Sequence, residues 1–142
     1  MTIAMILGNK GADVVTLNVD ATVMQAIDLL AEKRIGALPV TDGGRVVGVM
    51  SERDVIYCLR RDGSQILDWP VSRVMTAPAI TIDREVSVLA ALSQMTRRRI
   101  RHLPVVEADQ LIGIVSIGDL VKFRMDRIQE EAEAMRAYIA NA

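Results

Sequence analysis

The chain repeats itself. Laid over itself with a displacement of 65 residues, the stretch 15–55 falls on 80–120 without a gap. Thr16 then meets Thr81, Val23 meets Val88, Ala26 meets Ala91, and Arg34-Ile35 meets Arg99-Ile100. Further along, Leu38-Pro39-Val40 meets Leu103-Pro104-Val105, Gly48 meets Gly113, Ser51 meets Ser116 and Asp54 meets Asp119. A shared tripeptide with spaced glycine and polar matches in one register marks a tandem duplication, and this decides the architecture before any single element is read. Copies of about 55 residues bury too little surface to be stable alone, so the two are expected to stack about a pseudo-two-fold axis.

Each copy carries the same series of signals. A short extended piece (Val14 to Leu17; Ala79 to Ile82) leads into a helix. Val23, Ala26, Ile27 and Leu30 in copy one, and Val88, Ala91, Leu92 and Met95 in copy two, have the i, i+3, i+4, i+7 spacing of one buried helical face. Thr22 and Ser87 stand before those faces as N-caps. Two apolar runs then flank turn residues, Asp42-Gly43-Gly44 in copy one and Glu107 to Gln110 in copy two, which predicts a hairpin. A second helix is predicted from Ser51 and from Ser116. The fold class is therefore α+β, a tandem β-α-β-β-α repeat. Residues 1–60 form the first repeat with an N-terminal lead-in, 61–73 the linker and 74–142 the second repeat. Trp69 in the linker is expected to cover an open end of the core.

The second repeat ends in an extended helix. Val121, Met125, Ile128, Ala132, Met135 and Ile139 recur in steps of four and three, a short heptad-like seam, while Arg127, Glu130, Glu131, Glu133 and Arg136 take the other face. The counterpart helix of copy one has no such extension, which favours a partner subunit over the chain's own core as the surface that covers the seam.

Composition removes several functions. The 17 basic and 18 acidic residues leave a net charge of −1, and aromatic residues are 3% of the chain. Both weigh against a nucleic-acid surface, although Arg97-Arg98-Arg99 with Arg101 is the run on which such a reading would rest. Cys58 is the single cysteine and His102 the single histidine, so neither a disulfide framework nor a Cys/His metal cluster is expected. No signal peptide or membrane span is expected, and the expected location is the cytoplasm. Ser116, His102 and Asp119 can be arranged on paper as a catalytic triad, but the binding reading below accounts for the same residues, so no enzyme is expected.

The chemistry concentrates in a heptad that occurs twice: Gly48-Val49-Met50-Ser51-Glu52-Arg53-Asp54 and Gly113-Ile114-Val115-Ser116-Ile117-Gly118-Asp119. Each lies where a strand gives way to a helix. Free N–H groups and the helix dipole favour an anion there. A serine hydroxyl can donate to phosphate, and an aspartate one turn on can accept from a ribose diol. Glycine leaves room for a flat base against the strand. The competing reading is a capping box, in which serine and aspartate only close the helix start. A cap, however, needs no glycine three residues upstream.

The duplicated pattern, with Leu-Pro-Val on one strand and Gly-x-x-Ser-x-x-Asp closing the next, resembles a stand-alone pair of CBS domains. Arg101-His102-Leu103-Pro104-Val105-Val106 and the lead-in Val71-Ser72-Arg73-Val74-Met75-Thr76 are typical of it. The resemblance implies a regulatory module that binds an adenosine ligand (AMP, ADP, ATP, NAD(H) or S-adenosylmethionine) in clefts between the copies, without a catalytic cofactor. It also implies a homodimer or higher homo-oligomer and an unknown regulated partner. By the same resemblance Asp54 and Asp119 hold ribose hydroxyls, and Ser51 and Ser116 contact phosphate. Thr16 and Thr81 line the clefts, and backbone at Ala37-Leu38 and His102-Leu103 meets base or phosphate. Copy two carries Arg101-His102 where copy one has Gly36-Ala37, and copy one carries Arg53 where copy two has Gly118. Two unequal sites are expected, with Arg101, His102 and Arg53 favouring a phosphorylated ligand. The alternative is an interaction or dimerisation module whose nucleotide sites are vestigial.

Overall fold

A computed structural model describes residues 1–10 and 13–141. Its elements run α1 (Ile3–Lys10), β1 (Leu17–Asn18), α2 (Val23–Lys33), β2 (Ala37–Asp42), β3 (Arg45–Ser51), α3 (Glu52–Asp62), two short 3₁₀ turns (Gly63–Asp68 and Val71–Arg73), α4 (Val88–Arg98), β4 (His102–Glu107), β5 (Gln110–Ser116) and α5 (Ile117–Ala140).

The helices begin where their caps dictate. Thr22 and Gln25 form a reciprocal capping box at the start of α2, and the Ser87 hydroxyl accepts from the Ala90 N–H at α4. Both helices stop at an arginine in the left-handed conformation, Arg34 and Arg99, each with φ 54°. The hairpins are equally parallel. Gly43 and Gly44 turn the first with φ of 59° and 85°, the double positive φ that a two-residue turn between twisted strands demands. Ala108 and Asp109 adopt the same geometry at the second turn with no glycine.

In the first repeat β1 runs parallel to β2, pairing Leu17 with Val40, and β2 is antiparallel to β3. In the second the opening strand shrinks to a single parallel bridge, Ile82 with Val105, which is the Leu17–Val40 pair displaced by 65 residues. The extended pieces read from Val14 and Ala79 therefore pair only at their ends. β3 and β5 pack against each other, joining the two repeats.

Two cores result. Leu38, Val40, Met50, Val23 and Ala26 anchor the first, and their counterparts Leu103, Val105, Val115, Val88 and Ala91 anchor the second, nearly all fully buried. The linker is no loose tether: Ile66 and Val71 are buried in the first core, as is Val74 just beyond it, and Trp69 packs on its edge beneath the Arg73 guanidinium, 3.7 Å from the ring centre. α1 departs from the order of the chain. The sequence groups its residues with the first repeat, yet Ile3, Ile6 and Leu7 pack into the second core. Backbone bonds from Ile3 N–H to Val86 O (2.9 Å) and Ala4 N–H to Arg84 O (2.9 Å) hold it there. No helix among the described residues is long and apolar enough to cross a membrane.

Candidate functional site

Both serine–aspartate pairs do close their helices. Asp54 Oδ2 accepts from the Ser51 N–H (2.9 Å) and hydroxyl (3.0 Å), while the Asp54 N–H donates to Ser51 Oγ (3.2 Å). Ser116 and Asp119 repeat the box at 2.9 and 3.1 Å. The cap explains why these residue types stand there, and it aims each carboxylate at the end of its strand; the first N–H of each helix is also taken, Glu52 N–H donating to the Gly36 carbonyl at 3.0 Å and Ile117 N–H to the Arg101 carbonyl at 2.8 Å.

At the first junction this geometry opens into a cleft of about 370 Å³. Ser51, Arg53, Asp54 and Ala37 come from repeat one, and Arg101 and His102 from repeat two. Thus six of the residues singled out from the sequence meet in one place, contributed by both copies. Leu38 and Leu103 do not line it; their side chains are fully buried in the two cores. Thr16 is exposed on the approach to β1, and Thr81 is half-buried one residue beyond the wall. Ser116 and Asp119 belong to the other junction.

The further lining residues carried no sequence signal that pointed to the cleft. Thr76 hydrogen-bonds Asp54, its hydroxyl donating to Oδ1 at 3.0 Å, and its backbone pairs with Val49 in both directions. Pro78, Ala79 and Ile80 extend this segment as an apolar wall. Arg99 lies on the rim because the left-handed stop of α4 turns the chain there, so the arginine run is divided: Arg99 and Arg101 face the cleft, whereas Arg97 and Arg98 end the helix. Arg53, Arg99 and Arg101 make no ion pair among the described residues.

The glycines proved to serve a different purpose from the one read in the sequence. A Cβ on Gly48 would lie 2.6 Å from Met75 Sδ and 2.9 Å from the Thr76 carbonyl; one on Gly113 would lie 2.6 Å from Leu7 Cδ2. The hollow over each glycine is filled by the chain itself, not left for a base.

Two titratable groups are displaced. Burial, helped by the nearby Lys10 charge, pushes the His102 imidazole below its ordinary value against the opposing pull of Glu52 and Asp119. Its ring packs against the Gly36 backbone, where an added Cβ would come within 3.3 Å of Cε1. Burial tends to raise the Asp119 carboxyl, but the Lys10 and Ser116 hydrogen bonds overcome it and hold the group below the usual carboxylate range. The Lys10 ammonium donates to Asp119 Oδ2 at 2.6 Å and to the Ile114 carbonyl at 2.9 Å.

Comparison with known proteins agrees with the duplication of the chain. The CBS domain pattern matches twice, over residues 10–61 and 71–126. The chain belongs to the CBS domain family. It is 35% identical over 125 residues to the mitochondrial CBS domain-containing protein CBSX3 of Arabidopsis thaliana, covering 84% of this chain. It spans 61% of that relative's length. The structure is similar to that of the CBS-domain containing protein ATU1752 from Agrobacterium tumefaciens, with a TM-score of 0.83 at 37% identity over 87% of this chain and 92% of that one. It is also similar to CBSX2, solved in complex with AMP, with a TM-score of 0.74 at 26% identity, covering 88% and 96% of the two chains.

Proposed function

We propose that the protein is a regulatory CBS pair that binds an adenosine nucleotide, of the class AMP, ADP, ATP or NAD(H), in the Asp54 cleft. The observation that carries this reading is the convergence there of a fixed carboxylate, a serine at a helix start, three guanidiniums without an ion pair among the described residues and an apolar wall. Asp54 accepts from the ribose hydroxyls. Ser51, Arg53, Arg99 and Arg101 receive the phosphates, and neutral His102 offers a ring nitrogen without adding charge. Ala79 and Ile80 meet the base. CBSX2 holding AMP supports the ligand class. The role proposed for this protein is regulatory, and Ser116 and Asp119, which can be drawn on paper into a triad, close the start of α5, with Asp119 also bonded to Lys10. Occupancy is passed to a partner or a second copy, for which the bare apolar stripe of α5 is the proposed surface. The location proposed for it is the cytoplasm.

The complete capping boxes favour a second reading, an interaction module in which serine and aspartate only close helices. The two separate in a thermal-shift panel of AMP, ADP, ATP, NADH, S-adenosylmethionine and GTP. A ligand at about 100 times its dissociation constant adds roughly 2.7 kcal/mol, several degrees for a chain of this size. Adenosine nucleotides are expected to raise the midpoint, and Asp54→Asn, which keeps a capping acceptor, is expected to remove most of the rise. No rise with any nucleotide would leave the interaction module standing.

A further inference from the structure

The two junctions start as copies and end with different neighbours. At Asp54 the added contact is neutral, the Thr76 hydroxyl on Oδ1. At Asp119 it is a cation. Lys10 takes Oδ2, the same oxygen that accepts the Ser116 N–H, and a second bond from its ammonium fixes it to the Ile114 carbonyl near the end of β5. This lysine is not on a free tail. It is the last residue of α1, whose Ile3 and Ile6 are buried in the second core and whose Leu7 fills the hollow over Gly113.

The surroundings differ in the same sense. The displacement of 65 residues sets Gly36 against Arg101 and Gly118 against Arg53, so of three cleft arginines only Arg99 has a basic counterpart, Arg34. A ribose hydroxyl arriving at Asp119 would have to replace an ion pair, in which donor and acceptor are both charged, with a bond from an uncharged donor, which lacks that attraction between opposite charges.

We infer that Lys10 is a built-in occupant of the second junction and decides which duplicated site takes nucleotide: one per chain, at Asp54, with Asp119 available only when the lysine is removed. The inference rests on the nucleotide reading of the cleft, and the test separates the two. The 142-residue chain, ¹⁵N-labelled, is titrated with ATP and with adenosine, whose lack of phosphate makes the missing arginines irrelevant. In the wild type ATP shifts the amides of Ser51 to Asp54 and leaves those of Ser116 to Asp119 in place. In Lys10→Met adenosine also moves Ser116 to Asp119, binding there at least tenfold tighter than in the wild type. Lys10→Arg, which keeps the cation, leaves them still. A wild type that responds at both junctions alike, or a Lys10→Met chain that responds only at Ser51 to Asp54, overturns the role of Lys10 and leaves the first site intact. Silence at Ser51 to Asp54 in every variant overturns the nucleotide reading itself.

Discussion

Set side by side, the Ser51–Asp54 and Ser116–Asp119 junctions share their backbone rules and differ in what was added to them. Both have a serine N-cap, a reciprocal box and a glycine pressed against another part of the chain. At the first, the covering segment is the lead-in to repeat two, tied to Val49 by paired backbone bonds and followed by the apolar wall of a cleft. At the second it is α1, which brings a leucine to the glycine and a lysine to the carboxylate. Duplication preserved the helix start, which local hydrogen bonding enforces, while the charges about it diverged.

Substitution of the two glycines should break the symmetry most. Gly48→Ala drives a methyl group into Met75 and the Thr76 carbonyl, and a backbone paired to β3 cannot retreat easily. Gly113→Ala meets only the end of the Leu7 side chain, which can change rotamer. Overpacking costs typically span about 1–3 kcal/mol, so Gly48→Ala is expected near the top and Gly113→Ala near the bottom of that range. Urea midpoints at unchanged slope would measure both. Equal costs would mean that α1 is held as rigidly as the inter-repeat segment.

The second asymmetry is length. α3 stops at Asp62, whereas α5 continues to Ala140 with Met125, Ile128, Met135 and Ile139 each at least half exposed. If that stripe seats a second copy, Ile128→Glu should weaken self-association by about tenfold, near 1.4 kcal/mol, in sedimentation equilibrium. Unchanged association would assign the stripe to another partner and move the contact between copies elsewhere.

Much of this was legible in the residues because the informative forces are local. Capping, helical periodicity and the turn at Gly43-Gly44 act within a few positions, and duplication supplied an internal check on each. The placement of α1 was not legible. Its eight residues carry little amphipathic contrast, and the partner that orders them, the second core, lies beyond the whole first repeat. Arg99 escaped for a related reason. In a row of arginines nothing marks the one at which the helix ends in a left-handed residue and the chain swings toward the cleft. The glycines were assigned the right position with the wrong neighbour, since a missing Cβ signals close approach without saying what approaches.

The finest test of the comparison uses the single histidine as a probe between the junctions. His102 lines the cleft of Asp54, yet among the charges that depress its imidazole Lys10, bonded to Asp119, comes first, ahead of Arg101; Glu52 and Asp119 act the other way. Removing the ammonium in Lys10→Met should therefore raise the His102 midpoint in a proton NMR titration, and Lys10→Arg should leave it depressed. Stability follows with a definite sign. As pH falls below about 6.5 the unfolded imidazole takes up a proton before the folded one, so stability declines with falling pH until the folded-state value is passed. Lys10→Met narrows that window from below. At lower pH Asp119, held down in the folded chain, adds a second decline that begins as the unfolded carboxyl protonates, and Lys10→Met should shrink it as well. A His102 midpoint indifferent to residue 10 would place the ammonium away from the space between the repeats, and the two junctions would then be electrically independent.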